Sequence, residues 1–92
     1  MTQDRPRIPQ LTRGCRVQQR SENETVLLVP EGLLRLKGSA VEILNLVDGE
    51  RSATQIIDLL KAQYPLEAHS QIEAEVESFL ASLHTRSVLL FK

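Results

Sequence analysis

The chain has 92 residues, 41% hydrophobic and 25% charged, with a formal net charge of −1, a balance typical of folded domains and not of disordered or fibrous chains. At this length only about 60 to 65% of the unfolded surface is buried on folding, which allows one core and one domain. With aromatics at 3% and a single cysteine, the core must be aliphatic and no internal disulfide can form.

Residues 1–14 contain Pro6, Pro9 and Gly14 with no hydrophobic period, and are expected to form an extended N-terminal arm leading into a domain at 15–92. From Cys15 to Arg20 apolar and polar residues alternate as on a half-buried strand. After the polar turn Ser21-Glu22-Asn23-Glu24, the segment Thr25 to Val29 is apolar and β-branched enough for a strand buried on both faces. Val29-Pro30-Glu31-Gly32 has a turn composition and should reverse the chain into a third strand, Leu33 to Lys37. On that strand Leu34 and Leu36 share one face, and Leu33, Arg35 and Lys37 the other. The short connections make the three strands an antiparallel meander.

The remainder reads as helical. Three segments open with a Ser followed three residues later by Glu or Gln, a pattern that satisfies free amides at a helix start: Ser39 with Glu42, Ser52 with Gln55, and Ser70 with Glu73. The first helix, about Ser39 to Val47, is expected to end at Gly49. The second, about Ser52 to Gln63, offers Ile56, Ile57, Leu59, Leu60 and Tyr64 to the core and stops before Pro65. The third places Ile72, Val76, Phe79, Leu80 and Leu83 on one stripe. Val88 to Phe91 suits a terminal strand or a packed tail. The fold class is therefore α+β, a winged helix-turn-helix-like arrangement of a three-stranded antiparallel meander followed by three helices.

Little here points to catalysis. Cys15 sits on an apolar strand face with no nearby histidine and is expected to pack as a small hydrophobe. His69 and His84 lie near opposite ends of the third helix, too far apart for one metal, and read as surface residues. Glu73, Glu75 and Glu77 spread around that helix as a solvated face. Glu31 and Asp48 belong to turns. No cofactor, metal site or catalytic residue is expected, so the chain is not read as an enzyme.

A winged helix raises the alternative of a DNA-binding regulator. Charge argues against it: residues 1–20 hold five arginines against Asp4, but residues 21–92 hold six basic against eleven acidic side chains, and phosphate affinity comes from Lys and Arg. A meander does supply an edge strand with an unpaired backbone, and a helix beside it makes a groove into which an extended peptide can add as a further strand. The expected strand wall is Leu33, Leu34, Arg35, Leu36 and Lys37. The expected helix wall is Ile72, Glu75, Val76 and Phe79. An open edge and a loose arm also leave a homodimer possible. With no long apolar run and no apolar N-terminal stretch, a cytoplasmic protein without a membrane segment is expected.

The residues Pro9-x-Leu11-x-x-Gly14-x-Arg16, Leu27-Leu28-x-Pro30-Glu31-Gly32, Leu36-x-x-Ser39-Ala40, Ile43-Leu44 and Asp48-Gly49, in this order and spacing, resemble the PqqD family of pyrroloquinoline quinone (PQQ) biosynthesis. The resemblance runs from Pro9 through the third helix. Lys37 stands where Asn is expected, and Ser87-Val88 where Gly-Leu is expected. The resemblance implies a peptide chaperone whose ligand is the precursor peptide PqqA, bound as an added strand beside the third strand and the third helix. It further implies presentation to PqqE, a radical S-adenosylmethionine (SAM) enzyme that carries its own iron-sulfur chemistry.

Overall fold

The computed structural model describes residues 7–92. Strand β1 (Pro9–Leu11) is followed by a meander of β2 (Arg16–Ser21), β3 (Glu24–Val29) and β4 (Gly32–Leu36). Helices α1 (Ser39–Leu46), α2 (Ala53–Lys61) and α3 (His69–Thr85) come next, with a 3-10 turn at Leu66–Ala68 before α3, and β5 (Leu89–Phe91) closes the chain. The expected α+β architecture is therefore present, with a second, two-stranded sheet added to it.

The meander has the order β2-β3-β4, antiparallel throughout. Its register pairs Val17 with Leu27 and Leu27 with Leu34, so these side chains share the face that packs on the helices. Gln18, Val26 and Arg35 line up on the opposite face. Val26 and Leu27 are both fully buried, which is what the apolar, β-branched β3 requires as the central strand. Pro30 and Glu31 form the two-residue turn between Val29 and Gly32, which pair.

The core is aliphatic: Leu27, Ile43, Leu44, Ile56, Leu60, Val76, Leu80, Leu83 and Leu89 are each at most 3% exposed. Leu59 and Tyr64, expected in this core, are instead about two-fifths exposed. Leu59 falls between the buried positions Ile57 and Leu60, on the flank of α2 that meets water. Tyr64 lies beyond the helix end and reaches Glu42 on α1 with its hydroxyl.

Of the three expected serine caps, one forms. At α2 the Ser52 hydroxyl accepts from the Gln55 amide at 3.1 Å while the Ser52 amide donates to Gln55 Oε1 at 2.8 Å, a box contributing about 1 kcal/mol. At α1 the cap position is Gly38, with φ +58°, a conformation that favours glycine. Ser39 is thus already helical, and its hydroxyl is released to another role. At α3 the preceding 3-10 turn supplies the entry, the helix starts at His69, and Ser70 lies within its first turn. Helix α1 ends at Leu46 with Val47 as cap, before Gly49.

Part of the expected arm is structural. Pro9–Leu11 pairs antiparallel with Leu89–Phe91, Pro9 is buried, and the Ala53 amide donates to the Arg7 carbonyl at 2.8 Å. Arg7 reaches Glu77 at 2.7 Å and lies 5.3 Å from the Phe91 ring centroid. Three residues, Pro9, Gln10 and Leu11, are too few to show a period, so only their tertiary partner reveals this strand. Expectations about residues 1–6 lie outside the described residues.

Candidate functional site

Among the described residues β4 is an edge strand: it pairs with β3 on one side, and β5, which follows α3, pairs with β1 instead. A two-residue turn makes Val29 and Gly32 the bonded closing pair, and the antiparallel ladder alternates from there. Leu34 and Leu36 therefore face β3 with their backbone groups, while those of Leu33 and Arg35 point to the open edge. That edge is where a foreign strand could pair.

Two depressions lie near the two ends of this edge. One, of about 510 Å³, is lined by Lys37, Ser39, Ala40 and Ile43 on one side and by Gln71, Ala74, Glu75, Ser78, Phe79 and Ser82 of α3 on the other. The second, of about 480 Å³, lies at the turn end and brings Val29, Glu31, Gly32, Leu33 and Leu34 together with Arg86 and Val88. Ala74, Ser78 and Ser82 recur every four residues along α3, and their short side chains leave the space that a longer residue would fill.

The expected site residues divide by position. Lys37, Glu75 and Phe79 meet in the first depression, and Leu33 and Leu34 in the second. Leu33 is exposed on the outer sheet face, and the exposed Arg35 there pairs with Glu24 at 3.6 Å. Leu36 and Val76 are core residues, 9% and 1% exposed, so Leu36 has little side chain to offer at the edge. Ile72 and Val76 line an adjoining cavity at the start of α3. The residues that the periodicity did not single out are the small and polar ones: Ser39, Gln71, Ala74, Ser78, Ser82 and Arg86. For Ala74, Ser78 and Ser82 the signal was the four-residue spacing of short side chains beside the apolar stripe; Ser39, Gln71 and Arg86 carried no such pattern.

Glu75 is held in place, its Oε1 accepting from the Ser39 hydroxyl and its Oε2 from the Gln71 amide, both at 3.1 Å. Glu73 is exposed and Glu77 partly exposed, as expected of a solvated face, and they pair with Lys61 and Arg7. His69 is half-buried, with Nε2 at 2.9 Å from the Lys61 carbonyl and 3.1 Å from that of Tyr64. Two carbonyl acceptors require that nitrogen to carry the proton, so His69 fastens the end of α2 to α3. Asp48 accepts the amides of Arg51 and Glu50 at 2.8 and 2.9 Å. These backbone bonds, with the Arg51 charge, hold its carboxyl below the usual value. Cys15 is half-buried against the core, its Sγ 3.3 Å from Thr12 Oγ1. Among the described residues no group of His, Cys, Asp and Glu is arranged to hold a metal ion, and no helix is long and apolar enough to cross a membrane.

Residues 24–89 match the family model described as coenzyme PQQ synthesis protein D (PqqD). The chain belongs to the PqqD family. Among its relatives is the PqqA binding protein of Azotobacter vinelandii, 43% identical over 81 residues that cover 87% of this chain and 86% of the relative. The PqqD truncation of Methylobacterium extorquens PqqCD, a stand-alone recognition element for ribosomally synthesised, post-translationally modified peptides, superposes with a TM-score of 0.71. It is 38% identical, with 88% of this chain and 86% of that one covered. TbiB1, solved in complex with the TbiA(beta) leader peptide, shares the fold at a TM-score of 0.71 and 20% identity, over 87% of this chain and 93% of its own. The match within the PqqD family spans β3, β4 and all three helices, and so includes the residues that line the two depressions.

Proposed function

We propose that this protein is a peptide chaperone of PQQ biosynthesis: it binds the precursor peptide PqqA by strand addition to β4 and presents it to the radical SAM enzyme PqqE. The observation that carries the reading is the edge of β4 left open among the described residues, with one depression between α1 and α3 past its Lys37 end and another beside Arg86 and Val88 at its turn end. An unpaired edge that long is normally protected against promiscuous pairing; here the short side chains of α3 line the first of these depressions and leave room for one more strand. Backbone groups of Leu33 and Arg35 would bond the peptide, Leu34 and Phe79 would meet its apolar side chains, and Lys37, Glu75 and Arg86 would select its charges. Relatives named as PqqA binding proteins support the identity of the ligand.

The role needs no turnover. A protein that holds a flexible peptide in an extended form and also touches the enzyme raises the effective concentration of the substrate and restricts its approach. The exposed acidic side chains of α3 oppose a nucleic-acid backbone and suit a protein partner better.

Isothermal calorimetry and 15N NMR titration of the protein with synthetic PqqA test the reading. The expected result is saturable binding without any cofactor, with the largest amide shifts on β4 and α3. Absence of both heat and shifts would end it. Addition of PqqE to the preformed complex should then give a ternary species by size-exclusion chromatography.

A further inference from the structure

A third cavity, of about 370 Å³, sits between α1, α2 and α3 beyond the C-terminal end of β4. Its walls include Ile43, Leu60, Ile72 and Val76, and its rim carries Glu42, Tyr64 and Glu75. It adjoins the depression beside Lys37, because Ser39, Ile43, Gln71 and Glu75 line both. The Ser39 to Glu75 hydrogen bond forms the sill between them.

The two carboxylates at its rim are oriented but not neutralised. Glu42 accepts the Tyr64 hydroxyl at 2.7 and 2.8 Å, and Glu75 accepts Ser39 and Gln71; all these donors are uncharged. Neither carboxylate has a Lys or Arg partner among the described residues, and Lys61, on the same seam, is engaged with Glu73 at 3.3 Å. The negative field is felt locally: the bond to Glu42, partial burial, and the charges of Glu42 and Glu75 together raise the pKa of the Tyr64 hydroxyl.

We propose that this cavity is a subsite for a basic side chain, lysine or arginine, of the peptide bound on β4. The aliphatic walls fit the methylene stem and the rim carboxylates receive the charged head, the division that long basic side chains make between apolar surface and polar acceptors. The occupant comes from the bound peptide because the cavity shares a wall with the depression at Lys37, past which a strand paired with β4 would run. The inference rests on the strand-addition reading and adds a selectivity element to it. A neutral aliphatic side chain would fill the walls but leave the two carboxylates without a counter-charge.

The test uses the full-length protein and synthetic PqqA. Each Lys and Arg of the peptide is replaced in turn by norleucine, and every peptide is titrated calorimetrically against wild type and against Glu42→Gln/Glu75→Gln. Glu42→Gln alone, which can still accept from Tyr64, serves if the double variant does not fold by circular dichroism. One replacement is expected to weaken binding to wild type about fivefold or more, and to change binding to the variant by less than about twofold. Equal losses in both proteins for every replacement, or full affinity in a peptide stripped of all Lys and Arg, would overturn the subsite and leave strand addition standing. A peptide that fails to bind wild type removes both.

Discussion

The hydroxyl of Tyr64, beyond the end of α2, donates to both carboxylate oxygens of Glu42 on α1, at 2.7 and 2.8 Å. Losing the hydroxyl proton would set a phenolate against a carboxylate, so the Tyr64 pKa is raised from its usual 10.0. The chain has one tyrosine and no tryptophan, so tyrosinate absorbance near 295 nm reports this group alone. Its midpoint should lie above that of free tyrosine in wild type and fall toward it in Glu42→Gln. Because the folded-state pKa is the raised one, its contribution to stability is complete below about pH 10 and is lost as pH climbs through the folded-state value.

At the edge of β4, Arg35→Pro should weaken PqqA binding about tenfold by removing a donor that points away from β3. Arg35→Ala keeps the amide and should cost less, separating the backbone contribution from the side-chain one. Calorimetry gives both affinities, and an unchanged far-ultraviolet spectrum establishes that β4 is retained. A comparable loss in both variants would place the effect in the guanidinium.

Ser87 occupies the left-handed region at φ +64°, the only residue other than glycine to do so among the described ones. It ends α3 in a Schellman arrangement: the Ser87 amide donates to the His84 carbonyl at 3.0 Å and that of Val88 to the Leu83 carbonyl at 3.1 Å. Serine carries a steric cost there that glycine does not. Ser87→Gly should therefore stabilise the protein by about 1 kcal/mol, read as a rise in Tm of roughly 4 to 8 °C.

Removal of residues 1–12 should destabilise the fold even though it leaves the meander and all the helices intact. It uncovers β5, breaks the pairing of Pro9 with Phe91 and of Leu11 with Leu89, and takes away the buried Pro9. A loss of about 2 to 4 kcal/mol in urea denaturation is expected. Equal stability of the truncated and full-length chains would show that the N-terminal strand is dispensable.

By itself the sequence determined what neighbouring residues can decide. Alternation along Cys15 to Arg20, the proline-glycine turn at Pro30 and Gly32, and the apolar stripe of Val76, Leu80 and Leu83 are local patterns, and they led to the meander and the buried face of α3. The edge of β4 follows from them, since a strand at the end of a meander has one neighbour. Tertiary structure alone decided the rest. Whether Ser39 caps a helix or reaches across to Glu75 depends on Gly38 and on where α3 lies, and whether Pro9–Leu11 is an arm or a strand depends on β5, some eighty residues away. The cavity beneath Glu42 and Tyr64 is likewise invisible along the chain, because its walls come from three helices and its volume is set by how they pack, which no periodicity within one helix encodes.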